Sequence, residues 1–127
     1  MNKGYFRRIL IVEDNADSAE SLKLLLEINN HSVRVAADSE SGLKTAQQFL
    51  PQIIICDIGL PGRINGLDLA KIFKQDEKLK SAYLIALSGY GRAEDISEAK
   101  NAGFDYYLVK PMDFDKLIKL IGSFKDT

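Results

Sequence analysis

Five side chains with the chemistry to build a reactive site stand at the ends of apolar runs. Glu13 and Asp14 follow "ILIV", Asp57 closes "IIICD", Ser88 closes "YLIALS", and Lys110 follows "YYLV". Three carboxylates brought together at about 4 Å repel by about 4 kcal/mol per pair at an effective dielectric near 20, so such a site calls for cations. Hard carboxylate oxygens without histidine or thiol partners favour magnesium, with manganese as a substitute. Mg²⁺ and the Lys110 ammonium together would offset the acids, and the same two cations suit a phosphoryl group. Phosphoryl transfer asks mainly for positioning and electrostatic stabilisation. A metal, a lysine and the Ser88 hydroxyl would supply these, leaving Asp57 as the nucleophile that forms an acyl phosphate.

Taken singly, each residue has a plainer explanation. An acidic pair after a strand commonly makes a turn and a helix cap, Ser88 before Gly89 a turn, and Asp57 in "CDIGLPG" a turn former, while Lys110 could simply face solvent. Their joint occurrence at four of five strand ends favours the chemical reading.

The elements that must position these groups follow from periodicity. Short aliphatic runs at Arg8–Glu13, Ser32–Ala36, Ile53–Asp57, Tyr83–Ser88 and Tyr106–Val109 read as strands. The first, third and fourth are almost continuously apolar, as strands covered on both faces must be, and belong in the centre of the sheet. Helical segments lie between them. The first spans about Asp17–Asn29 with Leu22, Leu25 and Leu26 on one face. The second spans Ser39–Leu50, is capped by Asp38, and is stopped by Pro51, because the residue before a proline avoids helical angles. A third follows Gly66. The fourth carries only a thin stripe of Ala93, Ile96, Ala99 and Ala102 before a Gly103 cap, and is expected to be the most weakly held. The last places Phe114, Leu117, Ile118 and Ile121 at helical spacing behind an Asp113 cap. Alternating strands and helices specify an α/β fold, a parallel sheet with right-handed crossovers and helices on both faces. Ligands in such sheets bind beyond the carboxyl ends of the strands, where the five reactive side chains stand.

The 127 residues fit one domain, with no repeat, linker or low-complexity segment inside it. A formal net charge of -1 leaves no basic field for nucleic acid or anionic lipid, and the Arg7-Arg8 pair is expected to be a solvated lead-in to the first strand. The single cysteine, Cys56, cannot form an internal disulfide and is expected to pack as a small apolar group. There is no signal peptide and no apolar stretch long enough to insert into a membrane, so the cytoplasm is the expected compartment. His31, in the polar "NNHSV", is expected to be a loop residue.

"ILIVEDNAD", "PQIIICDIGLPG", "LIALSGYG" and "GFDYYLVKP", in this order and over essentially the whole chain, resemble the receiver domain of two-component response regulators. The resemblance implies a single receiver domain over residues 1–127, with a three-layer, doubly wound (βα)5 flavodoxin-like fold and a five-stranded parallel sheet in the order 2-1-3-4-5. It implies that Asp57 is the phosphoacceptor, Asp14 a direct Mg²⁺ ligand, Glu13 an acid that holds the metal through water, and Gly59 the residue whose carbonyl completes the coordination. Ser88 matches the hydroxyl that bonds the phosphoryl group, Lys110 the lysine that pairs with it, Pro111 a proline preceded by a cis peptide bond, and Tyr107 an aromatic switch residue. The implied donor is a phosphohistidine on a sensor histidine kinase or a histidine phosphotransfer domain. A receiver is not a conventional enzyme, yet it catalyses its own phosphorylation and slow dephosphorylation. Phosphorylation then remodels the face made by the fourth helix, fifth strand and fifth helix, read by a downstream protein or by a second copy in a phosphorylation-dependent dimer. A stand-alone regulator and the receiver of a hybrid sensor kinase both fit, the "LSGYG" to "LVKP" stretch leaning toward these over transcription factors.

Two departures from the pattern stand out. One residue is inserted around Arg63–Asn65 before Gly66, and Gly59 and Tyr90 lack the polar side chains that place a hydrolytic water, which implies slow self-dephosphorylation. Two other classes compete. A pseudo-receiver would bind partners without phosphorylation, against which the intact acids, Ser88 and Lys110 count. An aspartate-nucleophile phosphatase of similar build would place its nucleophile and second aspartate together after the first strand, where this chain has Glu13-Asp14.

Overall fold

Ile53 through Cys56 are each no more than 2% exposed, which makes this run the axis of the protein. In the computed structural model, which describes residues 6–89 and 91–124, it forms β3 (Ile53–Asp57) between β1 (Arg8–Val12) and β4 (Tyr83–Ser88). The edges are β2 (Ser32–Ala36) and β5 (Tyr106–Val109), all pairs are parallel, and the order is β2-β1-β3-β4-β5, as expected. The three near-continuously apolar runs therefore occupy the three inner positions. Successive side chains point to opposite faces, and each face is covered by helices.

On one face Leu10, Ile54 and Leu84 meet α2 (Ser39–Phe49), α3 (Gly66–Gln75) and α4 (Ala93–Ala102) through Ala46, Phe73 and Ala99. On the other, Ile9, Ile55 and Ile85 meet α1 (Ala16–Ile28) and α5 (Phe114–Ser123) through Leu22, Leu26, Leu117 and Ile121. Cys56 is buried in the first of these clusters as an apolar filler. Among the described residues, no helix is long and apolar enough to cross a membrane.

Helix starts follow the capping residues. Asn15, Asp38, Asn65 and Asp113 each accept a hydrogen bond from the backbone three residues on, whereas Arg92 at the start of α4 makes no such side-chain bond. α2 ends where Leu50 turns to φ 51°, leaving the helical region before Pro51.

Three expectations fail. Arg7 is 2% exposed, not solvated: its guanidinium donates to the carbonyl of Phe124 at the end of α5, and its N–H donates to His31 Nδ1 at 3.1 Å. Phe114, on the predicted apolar stripe of α5, is 44% exposed, and of that stripe only Leu117 and Ile121 are buried. Of the predicted α4 stripe only Ala99 and Ala102 are buried, and Ile96 is 41% exposed. The short methyl side chains seat this helix without enclosing its first two turns.

Candidate functional site

β1 ends at Val12, one residue earlier than its apolar run predicts, so Glu13 is the first residue beyond the strand. Its N–H still donates to the carbonyl of Ala36 at 3.0 Å, which keeps the acid in line with the sheet while Asp14 turns into solvent. Asp57 ends the fully buried β3, 9% exposed. One carboxylate oxygen from each of Glu13, Asp14 and Asp57 lies within 4.8 Å of the others. The sequence-predicted acids are thus brought together.

Lys110, one residue past β5, supplies the local cation. Its Nζ donates to Asp57 Oδ2 at 2.9 Å and to Glu13 Oε1 at 3.2 Å. The second oxygen of each carboxylate accepts from the backbone: Gly59 N–H to Asp57 Oδ1 at 2.8 Å, and Asn15 N–H to Glu13 Oε2 at 3.1 Å. Both buried carboxylates therefore divide their oxygens between one ammonium and one peptide N–H, which fixes their planes. Burial raises the Glu13 pKa, the Asn15 N–H opposes this, and the Asp57 charge adds to the rise. Burial alone would lower the pKa of Lys110, but its hydrogen bond to Asp57 and the charges of Asp57 and Glu13 prevail and raise it. Desolvation, followed by the Asp57 and Glu13 charges, pushes the Cys56 thiol far upward and leaves it inert.

Three carboxylates against one ammonium leave the cluster formally short of positive charge. Two oxygens on opposite sides of a bound Mg²⁺ stand about 4.2 Å apart, so a cluster within 4.8 Å could hold such an ion with small adjustments or a bridging water. The donor set is all oxygen, as that hard cation prefers.

Ser88 closes β4, 6% exposed, and its carbonyl accepts from the N–H of Lys110 at 2.8 Å. In the register Ser88 faces Val109 and Ala86 faces Tyr107, so Ser88 and Tyr107 share the α4 side of the sheet, one step apart. Tyr107 is half-buried against that core cluster. The Lys110-Pro111 peptide bond is cis, as the resemblance implies. Tyr90 lies outside the described residues.

Other contributors escape sequence reading. Asn15 acts through its backbone, although its place before a helical run marks it as a cap. Gly66 has no room for a side chain, since an ideal Cβ there would stand 2.5 Å from the Asp57 carbonyl oxygen and 2.6 Å from Ile58 Cα. A cavity of about 390 Å³ opens beside Glu13 and Lys110, floored by Leu22 and Leu87 and flanked by Met112 and Phe114. Phe114 is thus exposed in the wall of a groove bordered by Glu13 and Lys110.

With this geometry in view, similarity to known proteins is specific. The sequence pattern of the response regulator receiver domain matches residues 9–122. The polar-differentiation response regulator DivK of Brucella ovis is 27% identical over 118 residues, covering 93% of this chain and 95% of that protein. The crystal structure of a CheY-like response regulator receiver domain protein from Methanospirillum hungatei superposes with a TM-score of 0.84 and 29% identity over 92% of this chain and 91% of the other. The chemotaxis response regulator CheY4 of Vibrio cholerae superposes with a TM-score of 0.86 and 25% identity, covering 92% and 97%.

Proposed function

The chain belongs to the response regulator receiver family of two-component signalling, and from that premise we propose that it is a phosphoacceptor that takes a phosphoryl group from a phosphohistidine onto Asp57. The observation that carries this is the shared grip of Lys110 on Asp57 and Glu13, with Gly59 N–H on the remaining Asp57 oxygen. A carboxylate held this way presents a fixed oxygen to an incoming phosphorus, at a point already prepared for negative charge. In the transfer the P–N bond of the donor breaks, a P–O bond to Asp57 forms, and the departing imidazole takes a proton.

Mg²⁺ would be held by Asp14 and Asp57 directly, by Glu13 through water, and by the Gly59 carbonyl. When bound it supplies neutralisation of charge on the transferring phosphoryl oxygens. Lys110 would move its ammonium onto a phosphoryl oxygen while staying near Asp57, and the Ser88 hydroxyl would bond another. Ser88 and Tyr107 lie on one face, with the small Ala86 opposite the ring, so inward movement of the hydroxyl would vacate space for Tyr107. α4, which buries only two alanines and lacks a side-chain cap, is the cheapest element to shift in response.

The groove bordered by Glu13 and Lys110 supports this reading as a place where a sensor kinase or phosphotransfer domain would dock to present its donor histidine. A downstream protein, or a second copy, would read the shifted face. The complete set of acids, lysine and hydroxyl disfavours a phosphorylation-independent pseudo-receiver, and an aspartate on β3 disfavours the phosphatase arrangement. The deciding experiment is an intact mass after incubation with a small phosphodonor and Mg²⁺. One phosphoryl adduct is expected, absent in Asp57→Asn; no adduct on the native chain, or one on the variant, would refute the reading.

A further inference from the structure

We propose that Ser39, in the first turn of α2, is a positioning residue for the phosphoacceptor. Its hydroxyl latches the loop between β3 and α3 and so sets how the Asp57 carboxylate is presented. The inference rests on the reading of Asp57 as phosphoacceptor and adds a residue to its machinery.

The loop leaves β3 at Asp57 and returns at Gly66, where the two chain segments touch. At its mouth Gly66 N–H donates to the Ile58 carbonyl at 3.2 Å. Inside it, Gly59 N–H holds Asp57 Oδ1 at 2.8 Å, and Leu60 is buried in the core. Its far limb is exposed from Pro61 to Arg63, with Gly62 at φ 104°. That limb is retained by the Ser39 Oγ, which donates to the Ile64 carbonyl at 2.6 Å.

Two facts set Ser39 apart from an ordinary helix-start serine. Asp38 already caps α2, its Oδ1 accepting from Ser41 N–H at 2.8 Å, so the Ser39 hydroxyl is spent on the loop. Ser39 is also only 4% exposed, and a hydroxyl so buried needs an acceptor. α2 is itself seated on β1, because Gly42 lets Val12 Cγ2 stand 3.1 Å from where a Cβ would be. Val12 immediately precedes Glu13. The helix thereby touches the strand end that carries one acid and the loop whose Gly59 orients the other, and Ser39 fixes their separation. Reacting groups displaced by about 1 Å lose about a hundredfold in rate, so partial release of the loop has a measurable cost.

The test uses the full chain with Ser39→Ala, Ser39→Cys and Ser39→Thr. Amide hydrogen exchange is read at Gly59 and Gly66 against Ile54 and Ile55 in β3, and Asp57 phosphorylation is followed with acetyl phosphate and Mg²⁺ over a range of donor concentrations. For Ser39→Ala the expected result is loop amides exchanging about tenfold faster with β3 amides unchanged. The maximal phosphorylation rate should fall about tenfold, with the half-saturating donor concentration within about twofold. Ser39→Thr restores both, and Ser39→Cys, close in size but a weak donor, is intermediate and serves if the alanine chain does not fold. Loop amides and maximal rate within about twofold of native in the variant that folds would overturn the proposal, as would equal acceleration of loop and β3 amides. A native chain that takes no phosphoryl group would instead overturn the phosphoacceptor reading, and the amide comparison alone would then decide whether the latch exists.

Discussion

Lys110 and Glu13, 97 residues apart in the chain, are joined by a 3.2 Å ion pair that competes with the 2.9 Å pair between Lys110 and Asp57. The lysine is therefore shared, and it offsets part of the charge of the acid cluster before any other cation arrives. Lys110→Ala should slow phosphorylation by about a hundredfold through loss of a preorganised cation. The same substitution should tighten Mg²⁺ binding by about tenfold, because a competing positive charge has left the cluster. Intact mass against time checks the first outcome and titration calorimetry the second. Weaker Mg²⁺ binding in the variant would show that the lysine supports the metal rather than opposing it.

Glycines provide a paired test of packing around the site. Gly66→Ala forces a Cβ within 2.6 Å of Asp57 and Ile58 backbone, and such overpacking costs about 1–3 kcal/mol. It should also lower phosphorylation, since the strain falls on Asp57 itself. Gly122→Ala meets nothing within 4 Å on the exposed side of α5 and should add about 0.5–1 kcal/mol through reduced chain entropy. Urea midpoints of the two variants should move in opposite directions.

His31 predicts a pH dependence remote from the acids. Its Nδ1 accepts from Arg7 N–H at 3.1 Å, which requires an unprotonated nitrogen. Burial first, and then the Arg7 charge, lower the His31 pKa from its ordinary 6.5. A group whose pKa is depressed in the folded state stabilises the fold above its unfolded value and loses that contribution as pH falls through the folded value. The native chain should therefore lose more stability than His31→Gln between pH 7 and the acid side of 6.5. Equal losses in paired denaturation curves would assign the pH response elsewhere.

Gly59, on the loop beside Asp57, offers no side chain to place an attacking water. The phosphorylated protein should accordingly persist for minutes or longer once the donor is removed, as followed by intact mass. Loss within seconds would mean that another group performs that task.

Most of the framework was readable before the structure because it is encoded by local alternation and capping. The continuous apolar runs found their inner places, and Asp38 and Asp113 cap α2 and α5 as expected. The acids and Lys110 were readable because strand ends converge in a parallel sheet. What escaped depends on partners with no local signature. Arg7 looks solvated until the Phe124 carbonyl, 117 residues later, is seen to receive it. Phe114 fits the helical period, yet the period cannot say that its position lines an open cavity rather than the core. Ser39 resembles any residue after a cap, and only the path of the loop reveals its task.

The acids and the cation differ in mechanical footing. Glu13 and Asp57 extend from β1 and β3, each bonded to neighbours on both sides, whereas Lys110 extends from β5, a short strand bonded to β4 alone. Stiffness is thus concentrated under the negative charges and compliance under the positive one. A charge added at Asp57 would meet acids carried by doubly bonded strands and a counter-ion carried by a singly bonded edge strand, so the β5 edge is where it would be accommodated at least cost.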